Sequence, residues 1–212
     1  EYKKARKYLF GYIFIEKNEL DLPFLVGPYC NKIYTNEKIS PNDRQIREMG
    51  IPASGVVNCE HVWPQSRFSY EGKKEPNKDL YSQKKSDLHH LRPAGNRINA
   101  IRANHRFGEV ETESKITCDG AKVGTIIGFD SSDNFFEPRD EFKGEIARAV
   151  FYFALRYGVS ITPEEEFYLK KWHKQDPVNE IERKRNQMIF NVQFNRNPFV
   201  DHPELVDLIL DF

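Results

Sequence analysis

Glu60 and His61 stand side by side in the stretch Cys59-Glu60-His61-Val62-Trp63-Pro64-Gln65-Ser66. Further along come Ser86-Asp87-Leu88-His89-His90-Leu91-Arg92-Pro93 and then a polar run, Asn96 to Asn104, that carries Asn99 and Arg102. Carboxylate and amide oxygens suit a hard divalent cation such as Mg2+. A histidine beside such an ion can take a proton from water. Arg102, one helical turn from Asn99, is of the type that grips a phosphate oxygen with a forked guanidinium. Together these parts suit hydrolysis of a phosphodiester.

Each residue also has a plainer reading. Alone, Glu60 reads as a surface carboxylate and His61 as a hydrogen-bonded structural histidine. Adjacent strand residues point to opposite faces, so a twist or bulge is needed to bring both to one ion. Asn is poorly suited to a helix interior unless its amide is used, yet Asn99 also reads as a solvent-facing residue. Asn96 or Asn104 takes its place if the helix register shifts. Arg102 also reads as half of a surface salt bridge. A zinc site from His61, His89 and His90 lacks the usual Cys/His spacing. Asp87 either orients a histidine or caps a turn. Trp63 and Pro64 read as wall and turn, and Trp172, His173 and His202 as structural.

Elements must position these residues. Glycine-free β-prone sequence from Val56 to Val62 extends the piece that starts at Gly55 and holds Glu60 and His61. Leu88 to Arg92 reads as a second strand, broken by Pro93-Ala94-Gly95. Asn96 to Asn104 reads as a short helix, with Asn96 or Gly95 as N-cap. The order is strand, loop, strand, helix, with Phe68 to Lys85 as a polar surface loop containing Gly72 and Pro76. Tyr2 to Ile15 has near-helical spacing, weakened by Gly11. Val26 to Tyr34 reads as a turn and a short extended piece, Pro41 to Met49 as a short helix, and Val110 to Phe129 as extended. Pro138 to Tyr157 has a helical apolar face with Gly158 past its end. Thr162-Pro163-Glu164-Glu165 reads as a capping box. Pro177 to Val192 and Pro203 to Leu210 complete the helical part. The expectation is one α+β domain over residues 1–212, mostly helical, with the motif at about 55–105 and the helical part at about 138–212.

The 212 residues are enough for one sizeable core. Lys+Arg and Asp+Glu are equal at 32, so net charge points to no polyanionic partner. Between His61 and Val110, however, ten basic residues face five acidic ones. Such a local excess fits a phosphate backbone, and it also fits a Lys-rich solvated loop. Cys30, Cys59 and Cys118 allow one disulfide in any of three pairings. No apolar run approaches the ~20 residues of a membrane span. No secretory signal is recognisable; a processed exported protein would begin this way, and so would a trimmed cytosolic one.

The chain resembles the endonuclease I family of non-specific nucleases, within the ββα-metal or His-Me finger superfamily. The likeness lies in Glu60 to Ser66, Ser86 to Pro93, and Asn99, Arg102 and Phe107-Gly108-Glu109. It continues in Phe136-Glu137-Pro138 with Lys143-Gly144 and Arg148, and in Gln193, Arg196-Asn197-Pro198-Phe199-Val200-Asp201-His202-Pro203. The resemblance implies a fold built around a ββα-metal finger. It implies that Glu60 and Asn99 ligate Mg2+, or Mn2+ or Ca2+ in its place, and that His61 is the general base. Arg102 would stabilise phosphate charge, and Gln65, Lys85 and Arg102 would contact substrate. Lys85 stands where some relatives carry a carboxylate. The implied activity is sequence-non-specific cleavage of DNA and RNA through backbone contacts, leaving 5′-phosphate and 3′-hydroxyl ends. The implied setting is a secreted or periplasmic monomer, not bound to a membrane. The competing expectations are a catalytically silent nucleic-acid-binding relative and a hydrolase of small phosphodiesters.

Overall fold

The computed structural model describes residues 1–40, 42–70, 73–126 and 133–212. Pro41, Glu71, Gly72 and the end of the 110–129 stretch lie outside them. Helix α1 (Tyr2–Tyr8) runs on into a π-turn at Leu9–Ile13. The widened turn occurs at Gly11, where the backbone of Met49 approaches so closely that no Cβ fits, and Met49 N–H donates to the Gly11 carbonyl at 2.9 Å. Three short strands follow in the order β1 (Glu16–Lys17), β2 (Pro23–Val26), β3 (Ile33–Thr35), all antiparallel.

Strand β4 (Val57–His61) carries the Glu-His pair. After it come the hairpin β5 (Ser69–Tyr70) and β6 (Lys73–Lys74) and helix α2 (Lys78–Ser86). Strand β7 (Leu91–Gly95) then pairs antiparallel with β4, and α3 (Asn96–Arg102) packs on both. The order across the motif is strand, strand, helix. A four-stranded sheet has the order β8 (Arg106–Phe107), β11 (Phe135–Glu137), β10 (Ala121–Thr125), β9 (Thr112–Cys118). The helical part is α4 (Lys143–Tyr157), α5 (Pro163–Gln175), α6 (Glu180–Gln193), α7 (Pro198–Asp201) and α8 (Leu205–Leu208). This is an α+β domain.

Helix α4 is the axis of the larger core: Ile146, Ala147, Ala149, Val150, Phe151 and Phe153 are all buried. It also anchors the motif. Trp63 and Phe68 both stack on Phe153, at 5.3 and 5.5 Å between ring centroids. The turn after His61 is therefore fixed by aromatic packing. A smaller cluster joins the inner faces of α1, β2, β3 and β7. Cys30 and Cys118 form the disulfide, tying the β2–β3 connection to the end of β9, and Cys59 stays a thiol.

Several local expectations need correction. Residues 42–49 form turns rather than a helix, with Met49 at φ 50°. The stretch from Phe68 to Lys85 is not a loop throughout: Asn77 caps α2 by accepting from the Asp79 and Leu80 N–H groups. Leu88–His90 is a 3-10 turn, and the strand starts only at Leu91. Pro93 does not break it, because β7 is bonded on one side only and a missing N–H costs nothing on the other. Thr162 makes no side-chain cap to α5, although Pro163 does occupy its first position.

Candidate active site

Strand β4 sets the geometry by its pleat. Asn58 and Glu60 share one face; His61 lies on the other. The β4–β7 pairing runs without a bulge from Val57↔Gly95 to His61↔Leu91. The expected irregularity is absent over this ladder, and the two neighbours enter different surroundings.

Glu60 is buried on the α3 side. Its Oε1 accepts from the Tyr29 hydroxyl at 2.6 Å and lies 3.2 Å from the Arg102 guanidinium. Burial raises the Glu60 carboxyl above its ordinary range, against the opposing pull of Arg102 and Tyr29. Asn99 belongs to a chain of amides on the same side. Its Nδ2 donates to Asn58 Oδ1 at 2.6 Å, and Asn58 Nδ2 donates to Asn96 Oδ1 at 3.0 Å. A further contact of Asn99 Nδ2 reaches the Cys59 carbonyl at 3.4 Å. The amide nitrogen of Asn99 is thus committed to protein, which leaves Oδ1 as the atom available for a ligand. Glu60 and Asn99 offer one carboxylate and one amide oxygen, a hard donor pair that fits Mg2+ with water in the remaining positions. Among the described residues no group of three His, Cys, Asp or Glu side chains gathers at one point.

Arg102 departs from the expectation of a residue reaching for phosphate. It is 1 % exposed, and its guanidinium donates to the His61 and Val62 carbonyls as well as facing Glu60. It lies beneath the strand end and braces the backbone on either side of the His61–Val62 peptide.

His61 is buried against the α1 and α2 side. Its Nε2 lies 3.1 Å from the Lys85 carbonyl, which can only accept, so Nε2 carries the proton. Nδ1 then bears the lone pair, and Gln65 Nε2 donates to it at 3.3 Å. The Gln65 amide is oriented in turn by Tyr81, whose hydroxyl donates to Oε1 at 3.2 Å. Burial pushes the imidazole down to about 3, with His90 adding to the effect, so His61 is neutral at ordinary pH. The Tyr2 ring lies across it at 5.5 Å, and the Lys85 ammonium sits 4.7 Å above that same ring.

The second motif supports this arrangement rather than contributing ligands. His89 and His90 donate through Nε2 to the Asn195 and Lys84 carbonyls, at 3.1 and 2.7 Å. Asp87 caps the turn, accepting from His89 N–H at 3.0 Å, and also gathers Gln193, Tyr152 and Tyr157 at 2.8 Å each. Burial alone would raise the Asp87 carboxyl; His89, His90 and its hydrogen bonds outweigh that and hold it low. Much of the basic window is neutralised internally. Arg67, Lys84, Arg92, Arg102 and Arg106 pair with Glu165, Glu75, Glu145, Glu60 and Asp133, which removes half of the ten cations counted there.

The sequence reading missed Tyr29, Asn58 and Tyr2. Asn58 was within reach, since it lies two residues before Glu60 on the same strand face. Tyr29 and Tyr2 arrive from distant segments and carry no local signal.

Residues 28–204 match the Endonuclease I family. The chain belongs to the endonuclease I family. Among its relatives, the extracellular ribonuclease of Bacillus subtilis is 38 % identical over 196 residues, covering 84 % of this chain and 60 % of the relative. Endonuclease-1 of Buchnera aphidicola is 31 % identical over 184 residues, 81 % of this chain and 71 % of the relative. The periplasmic deoxyribonuclease of Aeromonas hydrophila is 25 % identical over 183 residues, 81 % of this chain and 76 % of the relative. The chain thus spans under two thirds of the Bacillus protein. The endonuclease I match begins just before Tyr29 and includes every residue of the site except Tyr2. Among the described residues no helix is long and apolar enough to cross a membrane.

Proposed function

We propose that this chain is a divalent-metal-dependent, sequence-non-specific endonuclease that hydrolyses phosphodiester bonds of DNA and RNA. The observation that carries this is the fixed tautomer of His61: with Nε2–H held by the Lys85 carbonyl, Nδ1 is a neutral, oriented base. Glu60 and Asn99 Oδ1 would hold the ion, which supplies charge to the scissile phosphate and the leaving 3′ oxygen. His61 Nδ1 takes the proton of the attacking water, in the place where Gln65 now donates. Gln65 then orients that water. The P–O3′ bond breaks and the departing oxygen takes up a proton from solvent, which leaves a 5′-phosphate and a 3′-hydroxyl. Arg102 keeps the Glu60 carboxylate and the His61 backbone in place, and Lys85 is the nearer candidate for phosphate contact. Relatives named for ribonuclease and deoxyribonuclease activity support both substrates, and their extracellular and periplasmic names support an exported, membrane-free protein. We propose that it acts as a monomer on a finger of the ββα-metal type.

Two observations favour a catalytically silent nucleic-acid-binding relative: the unbulged β4 sends Glu60 and His61 to opposite faces, and they are only 3 % and 6 % exposed, with Tyr2 across the imidazole. Plasmid digestion separates the two readings. The nuclease reading expects nicking that needs a divalent ion, stops with chelator and collapses in His61→Ala. Binding without cleavage across Mg2+, Mn2+ and Ca2+ would establish the silent relative instead.

A further inference from the structure

Beside α3 lies a groove of about 600 Å3 that the chemistry above does not use. Lys32, Lys38 and Arg97 line it, together with a single carboxylate, Asp119. Asp119 is already engaged, accepting from the Asn31 amide at 3.3 Å. The three cations are exposed, and none forms an ion pair among the described residues. Lys32 lies 5.4 Å from the Tyr34 ring, a contact that leaves the ammonium free to face a ligand. Among the described residues, Arg97 belongs to the half of the basic window that carboxylates leave unmatched.

Two residues of its lining lead to the site. Asn96, at its edge, is the last member of the amide chain that orients Asn99. Cys30, also in the lining, follows Tyr29, whose hydroxyl holds Glu60. Asn96 and Cys30 thus link the groove lining to Asn99 through Asn58 and to Glu60 through Tyr29. Ile98 and Ile101 supply an apolar wall. A groove lined by unpaired cations is the feature that tracks a nucleic-acid backbone.

We propose that this groove carries one strand of the polynucleotide next to the cut, with Lys32, Lys38 and Arg97 each taking a phosphate. The ligand's identity rests on the nuclease reading; the groove itself does not depend on the catalytic roles. The test is anisotropy of labelled single-stranded DNA and RNA across a salt series, in a His61→Ala background. Lys32→Glu/Lys38→Glu/Arg97→Glu should weaken binding about tenfold or more and lower the log–log salt slope by about two, at roughly 0.7 per lost contact. The gentler Lys32→Gln/Lys38→Gln/Arg97→Gln should lower the slope equally, which guards against misfolding of the first. Exposed Lys3, Lys7 and Lys184, changed to Glu, make an equal charge change elsewhere and should leave the slope intact. An unaltered slope in both groove variants, or an equal loss in the control, overturns the proposal. Plasmid digestion by the unmodified protein runs in parallel. Cleavage with unaltered groove binding sinks the groove alone; no cleavage, with binding lost in the groove variants, sinks the nuclease reading alone.

Discussion

His61 donates its Nε2 proton to the Lys85 carbonyl at 3.1 Å, and this one bond selects Nδ1 as the nitrogen able to act as a base. Gln has an amide nitrogen at a similar reach to Nε2 but no basic lone pair. His61→Gln should therefore keep the bond to Lys85 and the folded state while cleavage falls about 10²–10⁴-fold. Melting and oligonucleotide binding should stay near those of the unmodified protein. Retained cleavage at a tenth or more would remove His61 from the role of base.

The amide chain predicts an effect at a residue that touches no substrate. Asn58 orients Asn99 by accepting its Nδ2 proton. In Asn58→Ala the Asn99 amide is free to turn, so the half-saturating Mg2+ concentration for cleavage should rise about 10–100-fold. Saturating Mg2+ should then restore most of the rate. A rate loss that excess Mg2+ leaves untouched would place Asn58 outside ion binding.

These two predictions draw on different levels of the chain. The strand that carries Glu60 and His61 and the helix that carries Asn99 were legible because their signals are local. The second strand was expected three residues too early, with its end at Pro93. The amphipathic α4 was legible from its period. What stayed hidden depends on long-range contact. Nothing near Arg102 in sequence says that its partners are Glu60 and two carbonyls some forty residues back. The disulfide partner of Cys30 lies 88 residues away. Helix α2 was hidden for a different reason: it is polar, with its one buried cation, Lys84, matched to Glu75 at 2.9 Å. Apolar periodicity cannot report such a helix.

Arg102 is predicted to act on stability first. Removing it leaves the Glu60 carboxylate buried without its cation, a change that typically costs about 3–5 kcal/mol. Arg102→Ala should show a large drop in melting temperature and loss of activity together. An unshifted melting temperature with a raised KM would return Arg102 to the phosphate-gripping role.

Acid should unfold this protein from the histidine side. Burial lowers His61 to about 3 and His90 to about 4, and also lowers His89 and His173. Below pH 6.5 the unfolded chain binds protons that the folded chain refuses, so stability falls as pH drops from 6.5 toward 4. Each such histidine contributes at most about 1.4 kcal/mol per pH unit in that window. Glu60 works in the opposite sense, since its raised carboxyl favours the fold at low pH and loses that contribution as pH rises through its folded value. Melting temperatures should fall steeply between pH 6.5 and 5. His90→Gln, which can still donate to the Lys84 carbonyl, should flatten that slope. A flat profile in the unmodified protein would refute the burial of these rings.

The disulfide ties together segments that also meet through the Asn31 N–H, which donates to the Asp119 carbonyl at 2.9 Å. Cys30 and Cys118 close a loop with a sequence separation of 88. Closing a loop of that length in the unfolded chain stabilises the fold by about 4.6 kcal/mol in the chain-entropy picture. Cys30→Ser/Cys118→Ser should therefore lose a comparable amount in denaturant titrations. The same bridge lines the groove beside α3, so binding of single-stranded oligonucleotide should weaken along with stability. Cys59 is an internal control. Cys59 is half-buried with Tyr2 beside it, and burial pushes its thiol up to about 12. Native protein should thus resist alkylation, and one thiol should appear only on unfolding without reductant. Rapid modification of one thiol in the native state would mean that α1 does not lie against β4. Modification of all three after unfolding without reductant would mean that the bridge is not formed.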